Sequence, residues 1–218
     1  MIRSQDRFRN WRLASFPSRH ARGFSLLELM ITLSIMLILA GTVFIGLQPA
    51  LKQARVASAY DTTLMALRTY RQQAIAQRQQ YIVAFTAPGT ITISYQGVGV
   101  PIAPAPVVVQ TLQLPVDVQY QVQAGMPNAA NAVPDGFGTG AVAIDFDQGV
   151  GLGSQNYVKF MPDGSSQDTI GNYNSGIIYI GRAGELGSMR AITVFGTTGR
   201  VRGWSLVQRA GVWTWMQQ

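Results

Sequence analysis

Residues Leu29 to Leu47 run for nineteen positions without one charge, LMITLSIMLILAGTVFIGL. A bilayer core takes about 20 apolar residues in helical form, so this stretch has the length and composition of a membrane span. A buried core helix of a water-soluble domain is rarely so long and so uniform. A secretory signal would need small residues three and one before a cut just past the run. Ala40 is preceded by Leu39 and Ile38, and the choices around Gly46 are no better, so the run reads as retained.

The charge distribution orients this span. Residues 1–23 hold Arg3, Arg7, Arg9, Arg12, Arg19 and Arg22 against the single acid Asp6, a net +5 out of +7 for the chain. Arginines ahead of a span are retained on the cytoplasmic side, which places the chain after Leu47 in a periplasm-like space. Residues 24–218 carry eleven basic and nine acidic side chains, nearly balanced at +2. The basic character therefore belongs to a short tail, not to a nucleic-acid-binding globule.

Glu28 sits one step inside the apolar run with no charged neighbour in sequence. A carboxylate deep in a helical span costs roughly 2.5–3.5 kcal/mol and normally has a partner. At the interface it would snorkel. Deeper, it needs a cation at the same level. Cutting the chain before Phe24 creates one, a new α-amino group about 6 Å along the helix axis from Glu28. A neighbouring copy shifted by about one turn would bring its amine to this carboxylate.

The segment Arg22-Gly23-Phe24-Ser25-Leu26-Leu27-Glu28-Leu29-Met30 resembles the prepilin motif of type IV pilins and type II secretion pseudopilins. The resemblance implies cleavage after Gly23 by a membrane aspartyl prepilin peptidase, N-methylation of Phe24, and a contact between Glu28 and an amine during assembly. It implies other pilin or pseudopilin subunits and the inner membrane as partners. That family often places a kinking proline where this chain has Ile45; here the proline is Pro49, so any kink is expected to be displaced.

Beyond Pro49, Ala57, Tyr60, Leu64, Leu67, Ala74 and Ile75 recur at helical spacing, with Arg55, Asp61, Arg68, Arg71 and Arg78 mostly elsewhere. This predicts an amphipathic helix whose apolar stripe buries against a sheet. Strand patterns follow at Tyr81–Thr86 and Thr90–Tyr95 around the turn Ala87-Pro88-Gly89. Residues 97–106 read as a Gly/Pro-rich loop, and Val116, Val118, Tyr120 and Val122 as one face of a half-buried strand. Residues 124–140 read as a long exposed loop, and further strands are expected at 141–146, 157–161, 176–181, 190–196, 199–207 and 212–216. The expected fold is α+β and pilin-like, with a long N-terminal helix packed on an antiparallel β domain. Its parts are a cleaved cytoplasmic leader (1–23), a transmembrane and filament-core helix (24–48), an amphipathic helix (49–80) and a periplasmic β domain (81–218).

The pattern Phe160-Met161-Pro162-Asp163-Gly164-Ser165-Ser166, Gly176–Ile180, Ala191–Val194 and Thr198-Gly199-Arg200-Val201-Arg202 looks like the C-terminal pattern of the GspH/FimT family of minor pseudopilins and minor pilins. Gly199-Arg200-Val201-Arg202 matches the Gly-Arg-x-Arg motif linked to DNA binding in some competence-related members. Two arginines at i and i+2 on a strand face the same side and would reach successive phosphates. Trp204, Trp213 and Trp215 would offer stacking surfaces. The plainer alternative is a charged outer face with the tryptophans in the core or a subunit contact. Phe137 in the long loop would mark a contact or simply fold over the sheet.

No enzyme is expected. The chain lacks cysteine, and its only histidine, His20, lies in the leader. That leaves no imidazole or thiolate chemistry after cleavage. Asp145 with Asp147, and Asp163 with Asp168, are the carboxylate candidates, but they fit no EF-hand spacing. No metal, no cofactor and no catalytic residue is assigned. The two leading functional readings are a minor pseudopilin of a secretion pseudopilus and a DNA-binding minor pilin; a third, an unprocessed single-span anchor with an unrelated periplasmic domain, is disfavoured by Gly23 and Glu28 together.

Overall fold

A computed structural model describes residues 23–97, 105–129, 131–138, 140–146 and 155–218. The leader over 1–22, including its arginines and His20, lies outside the described residues, as do residues 98–104 of the Gly/Pro-rich loop and Asp147. The chain divides into two compact units at Gly46 and Leu47.

Helix α1 runs from Leu26 to Gln77 and continues through Pro49. Proline needs no N–H if the helix tolerates one missing bond, and no break accompanies it here. In the first unit every described α1 residue is exposed, with Leu29, Leu33, Met36 and Leu37 each more than half exposed. In the second unit the helix has one buried stripe: Val56, Ala59, Tyr60, Thr63, Leu64, Leu67, Tyr70 and Ala74. The spacing predicts Tyr60, Leu64, Leu67 and Ala74 correctly. Ala57 and Ile75 are exposed, because the stripe is centred about one residue away from them and runs through Val56 and Ala59.

Among the described residues eleven strands follow: β1 Gln80–Thr86, β2 Thr90–Gln96, β3 Val107–Gln113, β4 Gln119–Tyr120, β5 Ile144–Phe146, β6 Tyr157–Phe160, β7 Ser166–Gln167, β8 Gly176–Gly181, β9 Arg190–Phe195, β10 Arg200–Arg209 and β11 Val212–Gln217. They form two antiparallel sheets, ordered β3-β2-β1-β6-β7 and β11-β10-β9-β8-β4, with β5 also paired to β8. The α1 stripe packs against Val83, Phe85, Ile91, Ile93, Val158 and Phe160 of the first sheet. The same cluster takes in Ile178, Ile180, Ile192, Val194 and Val201 of the second.

The second sheet is buried on both faces. Ile177, Tyr179, Met189, Ala191, Leu206 and Trp215 form a separate cluster with Met126, and Val122, Phe137 and Leu186 pack on it. This is why β8 is buried at every position while β1 alternates. The cover is the segment expected as a long exposed loop. Its described residues are irregular apart from one 3-10 turn at Pro134–Gly136, yet Met126, Val133 and Pro134 are buried. A loop rich in small residues moulds onto an apolar sheet face without needing periodicity of its own.

Two further expectations are corrected. The strand expected over 116–122 reduces to the two residues of β4; Val118 and Tyr120 are buried, while Val116 is fully exposed. The alternation there is real but extends past the available ladder. Conversely β3 was unmarked, since its sequence VVVQTLQ is an edge strand exposed at nearly every position and alternates with nothing. The short strand β7 was likewise unmarked.

Candidate functional site

The junction comes first. Gly23, Phe24 and Ser25 are non-helical, and α1 begins at Leu26, held by the Leu29 amide donating to the Ser25 carbonyl at 3.1 Å. Open space surrounds Gly23, where an added side-chain carbon would meet nothing within 4 Å. Packing within the fold therefore places no demand for glycine at this position. Phe24 is 79% exposed. Glu28 lies in the first helical turn, where the positive end of the helix dipole favours a carboxylate. No ion pair reaches Glu28 among the described residues. The helix that follows is long and apolar enough to cross a bilayer.

The second candidate lies on β10, where Arg200 and Arg202 part company. Arg202 Nη1 donates to Asp135 Oδ1 at 2.6 Å, an ion pair in which Asp135 is largely covered. Thr193 Oγ1 donates to the other Asp135 oxygen at 2.6 Å and accepts from Trp204 Nε1 at 3.1 Å. Arg202, Asp135, Thr193 and Trp204 thus form a closed polar network that pins the covering loop to the sheet. Trp215 is buried in the core and Trp213 half-buried, so neither stands free as a stacking platform.

Arg200 is exposed, with its guanidinium carbon 5.6 Å from the centre of the Phe195 ring, a cation–π distance. Phe195 in turn meets Phe137 at 5.9 Å, so Phe137 folds over the sheet. Arg200 also borders a cleft of about 460 Å³ whose lining includes Arg68, Arg71, Gln72 and Thr198 and no carboxylate. Arg71 is only partly available there. Its Nε donates to the carbonyls of Gly164 and Thr198 at 3.1 and 3.2 Å, and its Nη2 to Thr198 at 2.8 Å.

That clamp explains the glycine of the Gly-Arg-x-Arg element. Gly199 has φ +59°, and a side-chain carbon there would overlap the Gly164 carbonyl and come within 2.8 Å of Arg71 Nε. The motif's glycine is a turn residue required by the packing of two loops on α1.

The carboxylates flagged in sequence are occupied locally. Asp163 accepts from the Ser165 hydroxyl at 2.6 Å and its amide at 2.8 Å, which holds its carboxyl below the usual range. Asp168 is fully buried and accepts from the amides of Ile170 and Asn172 at 2.8 and 2.9 Å. Asp145 is buried on β5. Among the described residues, no three of His, Cys, Asp and Glu lie close enough together to hold a metal ion.

Reasoning from sequence missed Asp135, Arg68 and Arg71. Asp135 is 67 residues from Arg202. The one signal for it was an acid inside a turn-rich segment, at φ +52° where few residues other than Asn, Asp or Gly are comfortable.

Comparison with known proteins bears on the N-terminal segment. The family described as "Prokaryotic N-terminal methylation motif" matches residues 18–44. No curated protein and no solved structure is significantly similar to the chain. The motif implies processing by a prepilin peptidase and assembly with other pilin subunits, a structural role in which the chain is a substrate of catalysis. That motif spans Gly23, Phe24, Glu28 and the start of an apolar helix, ahead of antiparallel sheets packed on the helix's later turns, and it supports a type IV prepilin-like protein.

Proposed function

We propose that this protein is a minor pseudopilin of a type II secretion pseudopilus. The leader over 1–23 is removed, Phe24 is N-methylated, and residues 24–48 cross the inner membrane and later pack in the filament core. Residues 49–80 carry the periplasmic β domain over 81–218. The observation that carries the reading is the coincidence of the methylation motif at 18–44 with Glu28, without an ion pair among the described residues, in the first turn of an apolar helix. An amine created by cutting at Phe24 would supply Glu28 with a cation. The role of a minor subunit rests on the resemblance of residues 160–202 to the GspH/FimT pattern.

The test is direct. Co-expression with a prepilin peptidase should yield a chain whose N-terminal mass begins at methylated Phe24, and Gly23→Asp should block the cut. A mature start elsewhere refutes the processing scheme. Loss of secretion, with pili intact, on deletion of the gene separates a pseudopilus from a pilus.

A second reading, a minor pilin that binds DNA, is favoured by one observation: three arginines and no carboxylate line the cleft beside Arg200. It weighs against this reading that Arg202 is already paired with Asp135. If DNA binds, Arg200→Ala should weaken it and flatten its salt dependence by about one unit of slope. Absence of binding to double-stranded DNA at low salt sinks this reading.

A further inference from the structure

A second basic recess lies between the start of the α1 stripe and the second sheet. It has a volume of about 280 Å³ and is lined by Lys52, Gln53, Arg182, Glu185, Ser188 and Arg190, among others. Its charges do not cancel. Arg182 is taken by Asp117 at 3.1 Å and by Glu185, and Asp117 also receives Arg55 at 3.3 Å. Lys52 and Arg190 have no carboxylate partner among the described residues.

Arg190 is the more informative of the two. Its side chain is half-buried, and burial pushes its guanidinium below its ordinary pKa, with Tyr60 nearby. Among the described residues its Nη1 donates to the carbonyls of Met189 at 3.0 Å and Gly187 at 3.4 Å, and no other bond from the guanidinium is seen. A guanidinium has five N–H donors in a planar fork and stays charged in proteins. A guanidinium fork that lines the recess beside Lys52 suits an anion with several acceptor oxygens.

The recess also has a defined place along the helix. Lys52 follows the last residue of the apolar run, Leu47, by five positions, about 7.5 Å along a helix axis. The headgroup layer of a bilayer is about 5–8 Å deep on each side. We propose that the recess binds the phosphate of an anionic phospholipid headgroup, gripped by Lys52 and Arg190, while the chain resides in the membrane. This rests on the reading that residues 24–48 span the bilayer. The lipid grip would hold the domain at the membrane surface until assembly draws the helix out.

The experiment uses the full chain in nanodiscs and native mass spectrometry of the released protein. Phosphatidylglycerol should be retained in preference to phosphatidylcholine. Lys52→Gln and Arg190→Gln should each reduce retention about fivefold, the effect of one cation near an anionic surface. Arg55→Gln, which removes a cation one turn away that is already paired, should change it by less than about twofold. Lys52 is exposed on the helix, so its variant tests the site even if Arg190→Gln lowers stability. Equal retention of the two lipids, or full retention by Lys52→Gln, overturns the proposal. Displacement of phosphatidylglycerol by millimolar inorganic phosphate would make this a site for a free anion and overturn the lipid assignment. Alkaline extraction of membranes is the separate check: a chain washed off refutes the spanning reading, whereas an inserted chain without lipid preference refutes only the recess.

Discussion

Glu28 and Gly203 show two ways in which single residues constrain this chain. Glu28 has no ion-pair partner among the described residues, and on the proposed reading its cost in an apolar setting is met by another molecule's amine. Glu28→Gln is therefore expected to leave cleavage intact. It should reduce co-assembly with partner pilins by roughly tenfold or more, read by crosslinking, because the amine is left uncompensated. Gly203 is constrained from within. A side-chain carbon there would overlap the Tyr60 hydroxyl and stand 2.6 Å from the ring carbon that bears it. Gly203→Ala should cost about 2–3 kcal/mol, lowering Tm by roughly 5–10 °C. Adding Tyr60→Phe should return part of that loss, since it removes the clashing oxygen. Asp163 carries a pH signature. Its carboxyl is depressed below 3.8 by hydrogen bonds from Ser165, so its contribution is full above that value. It disappears as pH falls through the lower folded-state value, and Asp163→Asn should flatten stability against pH below about 4 in acid titration.

At the scale of elements, Arg71 is the piece that joins helix to turns. It ties the turn carrying Gly164 and the turn carrying Thr198 to one face of α1. Arg71→Met should cost about 2 kcal/mol by denaturant unfolding, the range for hydrogen bonds from a charged group, with Arg71→Lys recovering little because it lacks the fork. What the sequence made legible follows from the same scale. Strands β1 and β2 were readable because alternating β-branched and aromatic residues flank a Pro-Gly turn, and because one face meets a core. Strand β3 was not, since it owes its existence to pairing with β2 and to the Tyr70 hydroxyl donating to Gln110 at 2.8 Å, neither of which marks its own residues. The methylation motif was legible because its residues are contiguous in the chain, within the matched 18–44. The Arg202 network was not, because Asp135 comes from a loop whose position is decided by the apolar sheet face beneath it.

At the scale of the whole molecule, the core residues all lie from Val56 onward, while the first unit has no buried side chain among its described residues. A chain beginning at residue 48 should therefore be soluble without detergent and unfold cooperatively. A chain beginning at 24 should need detergent to stay monodisperse on size-exclusion chromatography. The contacts at Tyr60 and Arg71 carry an implication for how such a sequence can change over time. Tyr60 fits against Gly203 and Arg71 grips two turns, three helical turns further along. Inserting or deleting one residue between them would rotate one anchor by about 100° relative to the other and shift it by 1.5 Å. Substitutions on the exposed flank of that segment should drift freely while changes in its length should be purged, so the eleven-residue spacing from Tyr60 to Arg71 is the ruler by which distant descendants of this chain should be aligned.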